Sequence, residues 1–450
     1  MHGKLLTVIL FIAFLIVSSL GITANAHGAL AENHSDRFNF KHQLTWSKIY
    51  SFGPLFSIEQ TRDGGYITAG SSVLKLDALG NVQWHFFVGG PCWPFAHSIR
   101  QTFDGGYVLV GNCNVDVSVI RLDSHGEIIW QKAYGGPNPG PVLYSLAQGM
   151  AIEQTSDYGF IVVGDLILGN DNGGWIFKLD AAGSMIWQKW YNGTSFDAMD
   201  KTSNGFVIAG PAGNVLRIDS LGNILWQKAY VIPNASRGIR FIDTIKSTSD
   251  GGSLIGGMTE QLGLGGDAWV LKIDGNGNLQ WQNAFYSRIP FIDEVYSVAV
   301  VHDGYVLAGV YDFGAAGMLI KLDTLGNMIW HRAIGAPMSG TIYSMDTTFD
   351  HGFVIAGTNS SIPNGGSQPW VAKLDSTGFC CSSIMNRGNS LFDVTSLNTN
   401  ATIVITHIIP TMPSTQTITI QPSTVFTLGS AATLLCNPQY AHKHQSQSDS

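Results

Sequence analysis

Charged side chains recur at one position of a segment that the chain repeats, two residues before a Thr or a Val. The charged members of this set are Glu59, Arg100, Glu153, Asp200, Lys246 and Asp346. The residue directly before each of them is apolar, and successive residues of a β-strand point to opposite faces. If the repeated segments stand side by side around an axis, these side chains form a ring of charges. Mixed signs at close range predict salt bridges that close a channel, and the excess of acids leaves cation binding as the alternative.

Aromatic side chains gather in the segments of variable length that separate the repeated ones. The candidates for ligand binding are Trp93, Phe95, Tyr144, Trp190, Tyr191, Tyr311 and Phe313, together with the charged residues Arg240 and Arg288. Aromatic rings at the rim of a binding face can stack on sugar rings or anchor a partner protein. We expect these residues to form a binding face, and local packing within the loops is the alternative for any single residue.

The patterns of common catalytic and metal sites are missing from the sequence. No Gly-x-Ser-x-Gly nucleophile elbow occurs, and no spacing of Cys and His resembles a zinc site. Asp293 and Glu294 are adjacent, so a strand would direct them to opposite sides, which is poorly suited to glycoside cleavage. The segment from Asp274 to Asn278 resembles a calcium loop, but it lacks the downstream acid and is better explained as a turn. The sequence therefore predicts no catalytic residue, no metal ligand and no cofactor.

The elements that must position these residues follow from a motif that occurs seven times: a basic residue, an aliphatic residue, an Asp, two variable residues and a Gly. The copies run from Val73 to Trp84, Val119 to Trp130, Ile176 to Trp187, Val215 to Trp226, Val270 to Trp281 and Leu319 to Trp330, with a truncated copy from Val371 to Gly378. Asp-x-x-Gly is typical of a tight turn between two strands, and another hairpin precedes each copy. Four strands per unit of roughly 40 to 57 residues predict an all-β propeller with seven four-stranded antiparallel blades. A solenoid is the competing interpretation, but helical periodicity is missing.

The two ends of the repeated region complement each other. The segment from Leu44 to Tyr50 matches the Trp-bearing fourth strand of the repeat, although no first three strands precede it. The seventh repeat has three strands but no Trp after Gly378. We therefore predict that the N-terminal segment completes the seventh blade and removes the free sheet edges. In the alternative, Phe379 and the residues after it form a fourth strand of their own.

The Asp-x-x-Gly-Asn-x-x-Trp units, alternating with Thr-x-Asp-Gly-Gly-Tyr units, resemble the PQQ-like (quinoprotein-type) propeller repeats of secreted prokaryotic proteins. The resemblance covers roughly residues 44 to 378. It implies the propeller fold, but its members range from quinone-dependent dehydrogenases to assembly scaffolds of the outer membrane and surface proteins. Some quinoproteins have a disulfide between adjacent cysteines beside the cofactor, which Cys380 and Cys381 resemble. Quinone binding is not carried over, because those dehydrogenases typically have eight blades and no set of cofactor ligands matches here.

The N-terminal residues predict export. Lys4 precedes an apolar stretch from Leu5 to Val17, and Ala24-Asn25-Ala26 fits a cleavage site, so residues 1–26 are assigned as a signal peptide. The apolar stretch is short for a membrane anchor, which is the alternative. In an oxidising compartment disulfides are expected. Cys92 could pair with Cys113, and Cys436 with Cys380 or Cys381, so the odd count of five leaves one cysteine over.

The predicted organisation is a signal peptide (1–26), a lead-in (27–43), the propeller (44–381), a small β-rich C-terminal appendage (382–436) and a disordered tail (437–450). A formal net charge of -8 argues against a nucleic-acid-binding protein. We predict a secreted (extracellular or periplasmic), monomeric and non-catalytic binding or scaffold protein whose variable loops bind a protein or a carbohydrate. The alternatives are a propeller enzyme that acts on polysaccharide or uses a quinone, and a structural component of the cell surface.

Overall fold

Seven antiparallel sheets follow one another along the chain and confirm the predicted seven-bladed β-propeller. The computed structural model describes residues 44–51, 53–88, 95–113, 115–135, 146–168, 171–230, 238–260, 266–286, 292–311, 316–334, 340–359, 368–380, 395–397 and 426–427. In this part of the chain, no helix is long and apolar enough to cross a membrane. The predicted signal peptide, the lead-in and the last 14 residues lie outside the described ranges.

The strands of each blade run in order from the axis outward. The innermost strands are β2 (Leu55–Gln60), β6 (Ala96–Gln101), β10 (Leu146–Gln154), β14 (Ala198–Thr202), β18 (Ile239–Ser247), β22 (Glu294–Val301) and β26 (Gly340–Thr347). The second strands are β3 (Tyr66–Gly70), β7 (Tyr107–Cys113), β11 (Phe160–Leu168), β15 (Gly205–Gly210), β19 (Ser253–Thr259), β23 (Gly304–Tyr311) and β27 (Phe353–Asn359). The third strands are β4 (Ser72–Leu76), β8 (Asp116–Leu122), β12 (Asp171–Leu179), β16 (Asn214–Ile218), β20 (Asp267–Ile273), β24 (Ala316–Leu322) and β28 (Gln368–Leu374). The outermost strands are β5 (Val82–Phe87), β9 (Ile128–Tyr134), β13 (Met185–Asn192), β17 (Ile224–Ala229), β21 (Leu279–Tyr286), β25 (Met328–Ile334) and, for the seventh blade, β1 (Trp46–Ile49).

Strand β1 closes the ring as the sequence predicts. It pairs antiparallel with β28, with Trp46 opposite Lys373 and Ile49 opposite Trp370. Blade 7 therefore takes its first three strands from one end of the repeated region and its fourth from the other. Closure of this kind leaves no free edge between the first and last blades.

The Asp-x-x-Gly turns have the geometry that their residues favour. In the first copy, Asp77 Oδ1 accepts hydrogen bonds from the backbone N–H of Leu79 (2.9 Å) and of Asn81 (2.8 Å). Asp274 accepts in the same way from Asn276 and Asn278, both at 2.8 Å, so this segment is a turn of the repeat. The carboxylate is therefore used by backbone amides.

The basic residue of the motif has a structural role that the sequence did not reveal. In six blades it forms an ion pair with the Asp of the turn between the first and second strands. These pairs are Lys75–Asp63, Arg121–Asp104, Lys178–Asp157, Lys272–Asp250, Lys321–Asp303 and Lys373–Asp350. In blade 4, Arg217 instead donates to the carbonyls of Gly251 and Gly275 in blade 5, both at 3.0 Å.

The hydrophobic core lies between blades. Each of seven buried clusters combines residues of two adjacent blades; one of them joins Ile67 of blade 1 to Ile99 of blade 2. The recurring Trp residues extend these contacts, because each packs against the turn Gly of the next blade. Trp226 packs on Gly277 and its Nε1 donates to the Gly275 carbonyl at 3.0 Å. These Trp residues therefore hold neighbouring blades together.

Two short segments of the C-terminal region add fifth strands to blades. β29 (Thr395–Leu397) pairs with β21, and β30 (Phe426–Thr427) pairs with β9. The other residues of the predicted appendage lie outside the described ranges. Of the cysteines named above, Cys113 ends β7, and Cys380 Sγ donates to the Trp46 carbonyl at 3.3 Å. Cys92, Cys381 and Cys436 also lie outside those ranges, so the disulfides stay predictions.

Candidate binding site

A cavity of about 540 Å³ lies on the axis of the propeller and is lined by the innermost strands of all seven blades. Each of these strands runs from the face with the variable loops to the face with the short turns, because the short turn to the second strand follows directly after it. The cavity wall therefore has two levels, one near each face.

The level near the variable loops is formed by β-bulges. In six of the innermost strands, one residue is skipped in the pairing with the second strand of the blade. In blade 4, the residue at the equivalent position lies directly before β14. The seven residues at this position line the cavity and are each half-buried. We call them the mouth ring: Phe56, His97, Met150, Asp197, Asp243, Tyr296 and Tyr343. A bulge bends the strand and changes the direction of a side chain, which is how all seven reach the axis.

The level near the short turns is formed by five of the six charged side chains that the sequence singled out, and the sixth, Asp200, pairs with one of them, Lys246. We call Glu59, Arg100, Glu153, Asp200, Lys246 and Asp346 the axial charge ring. Arg100 Nε lies 2.6 Å from Glu153 Oε1, and Lys201 Nζ lies 3.1 Å from Glu153 Oε2. Lys246 Nζ lies 3.4 Å from Asp200 Oδ1. Opposite charges from neighbouring blades are thus in contact around the channel.

The acids of the axial charge ring also bind the backbone of the next blade. Asp346 accepts from the Gln60 N–H at 2.8 Å, and Asp200 accepts from the Ser247 N–H at 2.7 Å. Burial raises the pKa of Glu59 to about 7, against the opposing charge of Arg100. Burial also raises the pKa of Glu153, but the neighbouring cations outweigh it and the net shift is downward. These contacts give the axial charge ring a role in joining blades.

One arc of the mouth ring is aromatic. The ring centroids of Phe56 and Tyr343 lie 5.3 Å apart, and those of Tyr296 and Tyr343 lie 5.5 Å apart. His97 stacks on Phe56 at 6.0 Å, and burial lowers the pKa of this histidine. Aromatic faces at these spacings form an apolar wall with a negative π surface.

The opposite arc of the mouth ring consists of Asp197 and Asp243, and we call it the acidic arc. The carboxyl groups of Asp243 and Glu294 hydrogen-bond to each other, and Tyr296 Oη donates to Glu294 Oε2 at 2.7 Å. Burial raises the pKa of Asp243 far above its ordinary value, and the charges of Glu294 and Asp197 raise it further. Burial raises the pKa of Asp197 to about 7, with a contribution from the charge of Asp165. Burial likewise raises the pKa of Asp165 to about 6. Four acids, Asp165, Asp197, Asp243 and Glu294, therefore lie near one another with few positively charged side chains to balance them.

The sequence-predicted aromatic residues have different surroundings. Trp190 Nε1 donates to the Leu166 carbonyl at 3.0 Å, and Tyr191 packs edge-on against Phe196. Tyr311 is buried in the core between blades 5 and 6. These three side chains are engaged in packing.

Two predicted residues lie nearer to solvent. Phe95 is exposed, and its ring lies 5.9 Å from Phe56 of the mouth ring. Arg240 is exposed and forms an ion pair with Glu260. Trp93, Tyr144, Arg288 and Phe313 lie outside the described residues.

The mouth ring was missed by sequence reasoning for a definite reason. Each of its members stands three residues before the corresponding position of the axial charge ring. In a regular strand, residues three apart face opposite sides, which would place Asp243 on the face opposite Lys246. The bulge cancels this alternation. The available signal was the mixture of aromatic and acidic residues at a position where a buried strand face would be uniformly apolar.

The short-turn face also has exposed apolar side chains that the sequence analysis did not consider. Phe103, Tyr158 and Phe349 occupy turns between first and second strands, and 48%, 58% and 69% of their surfaces are exposed. Lys201 Nζ lies 5.6 Å from the Phe103 ring centroid. The short-turn face is therefore the alternative location for a binding site, and a binding experiment must distinguish it from the variable-loop face.

Comparison with known proteins reaches no further than the fold. No family model matches the chain, and no curated protein matches it. Sqt1 from Chaetomium thermophilum is 11% identical over 73% of this chain and 98% of that one, with a TM-score of 0.41. BBS1N, solved in complex with ARL6DN, is 9% identical over 74% and 96%, with a TM-score of 0.43. Drosophila Plexin A, solved in complex with Semaphorin 1b, is 10% identical over 73% and 86%, with a TM-score of 0.41.

The described residues contain no group of three or more His, Cys, Asp or Glu side chains placed to hold a metal ion. The side chains that line the cavity offer aromatic faces, carboxyl groups, the cations Arg100, Lys201 and Lys246, and one tyrosine hydroxyl bonded to a carboxylate.

Proposed function

We propose that this protein is a secreted, non-catalytic binding propeller that holds its ligand, a protein or a carbohydrate, at the mouth ring. The observation that carries the proposal is the mouth ring itself. Seven inward side chains, one per blade, line an axial cavity of about 540 Å³. They are chemically mixed, whereas the residues directly before them are all apolar and buried: Leu55, Ala96, Gly149, Phe196, Ile242, Val295 and Ile342. A concave site with a few converging polar groups is the usual form of a binding pocket.

The axial charge ring is a weaker candidate for the ligand site. Arg100 and Glu153 pair with each other, and Asp346 and Asp200 accept backbone N–H groups of the next blade. A ligand would have to displace these internal bonds, and each loss would leave a buried charge with fewer partners. In the mouth ring, by contrast, Asp243 Oδ2 has no hydrogen-bond partner among the described residues, so a ligand can approach it without displacing an internal bond.

Hydrolysis of polysaccharide fits the geometry less well than binding does. Glycosidases keep their two carboxyl groups roughly 5 to 9.5 Å apart, so that the sugar and a water molecule fit between them. The Asp243 and Glu294 carboxyl groups instead hydrogen-bond to each other. Quinone chemistry lacks support as well, because Cys380 is not among the residues that line the cavity.

The test is binding of the purified chain to a glycan array and a peptide array, repeated with two variants. Tyr343→Ala removes an aromatic wall of the mouth ring, and Phe349→Ala removes an exposed ring from the opposite face. We expect Tyr343→Ala to weaken binding about tenfold or more and Phe349→Ala to leave it unchanged. The reverse pattern would move the site to the short-turn face. Absence of binding on both arrays would contradict a protein or carbohydrate ligand.

Export is part of the same proposal and is supported by the apolar stretch from Leu5 to Val17. The full chain should be recovered outside the cytoplasm of a bacterial host with an N-terminus just after Ala26. Recovery from the cytoplasm with residues 1–26 intact would contradict it. We also propose, from the repeated motif alone, that the chain belongs to the PQQ-like repeat proteins. A search with a sequence profile built from the seven repeats tests this, and the search should detect known PQQ-like repeat proteins.

A further inference from the structure

The acidic arc of the mouth ring lacks a cationic partner. Among the described residues, no Lys or Arg forms an ion pair with Asp197 or Asp243. The charge of Arg240 lowers the pKa of Glu294, but Arg240 forms its ion pair with Glu260. Glu153, an acid of the axial charge ring, is balanced by Arg100 and Lys201. The acids of this arc are therefore available to a positively charged group that enters the cavity.

One atom of the arc is both buried and unused. Asp243 Oδ2 has no hydrogen-bond partner among the described residues, although Asp243 lines the cavity. A buried carboxylate oxygen without a partner is costly, and native structures rarely keep one without a function. A ligand donor placed beside Asp243 Oδ2 would satisfy it.

The aromatic arc lies on the other side of the same ring. Phe56 and Tyr343 contribute faces to the cavity, and Tyr296 stands between them and the acids. Aromatic faces attract organic cations through the ring quadrupole and pack against alkyl stems at the same time. A hard metal ion would use only the acids, and the described residues offer no ligand set for one.

We infer that the mouth ring binds an organic cation, an alkylammonium group, with its charge at Asp197 and Asp243 and its stem against Phe56 and Tyr343. The inference rests on the proposed function and names the chemical class that the binding site recognises. The group could belong to a free amine or to the lysine side chain of a partner protein, since the recognised chemistry is the same.

Proton release should accompany binding. Burial raises the pKa of Asp197 to about 7, so the empty site holds protons near neutral pH. Asp165, Asp243 and Glu294 are shifted in the same direction, mainly by burial. Tyr296 donates to Glu294, and Arg240 pairs with Glu260. Lys201 and Lys246 line the same cavity and pair with Glu153 and Asp200. A cation that binds the ionised acids should therefore bind more tightly as the pH rises.

Calorimetry with the full chain tests the inference with three probes: n-butylammonium, a short peptide with one lysine, and the same peptide with acetyl-lysine. We expect the two cations to bind and the acetylated peptide to bind at least about tenfold more weakly. Affinity should rise from about pH 5.5 to about pH 8, with proton release that differs between buffers. Binding of the peptide alone assigns the site to a protein partner, and binding of both cations supports a site for amines in general.

Matched variants separate the inference from the proposed function. Asp243→Asn and Asp197→Asn should each weaken cation binding about tenfold or more, because they remove the charge and keep the shape. Asp171→Asn makes the same change on an exposed side chain of the same face and should have no effect. Circular dichroism checks that the variants fold. Equal binding of the neutral and charged peptides, lost in Tyr343→Ala, would overturn the inference and leave the binding function standing. Binding of none of the probes would overturn the inference, while a hit on the glycan array would still support the proposed function.

Discussion

The indole of Trp46 packs against Gly80 across the closure of the ring. A Cβ atom at Gly80 would lie 2.6 Å from the indole ring, and Trp46 Nε1 donates to the Ala78 carbonyl at 3.0 Å. Tyr50 Oη adds a hydrogen bond to the Gly80 carbonyl at 2.8 Å. Trp46 belongs to blade 7 through its strand and contacts blade 1 through its side chain. One residue thus fastens the last blade to the first.

The first prediction concerns this contact. Gly80 has a φ of +74° and no space for a methyl group, so Gly80→Ala meets both backbone strain and a clash with Trp46. We expect a loss of unfolding free energy of about 2 to 4 kcal/mol, about 1 from the backbone and the rest from overpacking. Urea denaturation followed by tryptophan fluorescence measures this loss.

Gly64 provides the matched control. Its φ is +80°, close to that of Gly80, but nothing lies within 4 Å of a Cβ atom built there. Gly64→Ala should therefore cost only the backbone strain, about 1 kcal/mol. If both variants lose the same free energy, the contact between Trp46 and Gly80 does not stabilise the closure.

The sequence predicted this part of the fold because its signals are local and repeated. Asp77 and Gly80 specify a turn by their own chemistry, and the motif recurs often enough to number the blades. The match between the segment around Trp46 and the missing strand of blade 7 followed from comparing copies. These predictions use only local sequence and the comparison of repeats, so they do not require the direction of any side chain in the folded protein.

The binding site could be predicted only in part, because it depends on a deviation from regular structure. Strict alternation grouped Glu59 with Glu153 in one predicted ring, and both residues line the cavity. The same alternation directed Asp243 and Tyr296 away from the axis, since one skipped residue in the register reverses every side chain beyond it. The partner of Lys272 was also missed, because the turn Asp lies on another strand connection.

The second prediction concerns the ion pair within blade 5. Lys272 is almost fully buried, and its Nζ lies 2.8 Å from Asp250 Oδ2, whose side chain is half exposed. Asp250→Ala leaves a buried ammonium group that keeps only its bond to the Ile273 carbonyl. We expect a loss of about 1 to 3 kcal/mol, less than for a fully buried pair because water reaches the Asp. Asn204→Ala, in the turn of blade 4, is the control and should cost about 0.5 kcal/mol or less.

The same pairs predict how the protein responds to acid. Burial raises the pKa of Asp250, but hydrogen bonds from Lys272, Thr248 and the Gly252 amide outweigh it and lower the pKa to about 2. The pKa of Asp157 is likewise lowered to about 2. The unfolded chain therefore binds more protons than the folded one between about pH 4 and pH 2, so stability falls as the pH decreases through that window. Midpoints of thermal unfolding should drop steeply below about pH 4 in the parent and less steeply in Asp250→Ala.

A double-mutant cycle separates structure from function in the axial charge ring. Arg100→Met leaves Lys201 as the ion-pair partner of Glu153, and Glu153→Leu leaves the half-buried Arg100 without its closest partner. Each single change should cost about 3 to 5 kcal/mol, whereas the double variant should recover a large part of the loss. Additive losses in the double-mutant cycle would show that the two side chains do not act as a pair. Ligand binding at the mouth ring should survive in the double variant, because the two residues lie at the other level of the cavity.

The last prediction concerns the pH dependence of stability that the acidic arc imposes. The folded-state pKa of Asp197 is raised to about 7 by burial, while an unfolded Asp titrates near 4. Between these values the folded protein binds more protons than the unfolded chain, so this group makes stability fall as the pH rises. Asp197→Asn cannot ionise and should remove that fall. We expect the variant to match the parent near pH 4 and to be more stable by on the order of 1 to 3 kcal/mol at about pH 8.

Urea titrations at both pH values measure the effect of Asp197→Asn, and Asp171→Asn on the same face controls for the loss of one charge. The direction is the informative quantity, because this acid destabilises the empty protein, unlike Asp250. A protein that keeps a destabilising acid in its axial cavity gains by it only when something binds there, since ligand affinity and stability trade against each other at a functional site. Equal stability of parent and variant at both pH values would mean that Asp197 is solvated, and the acidic arc would then lose its distinction from an ordinary protein surface.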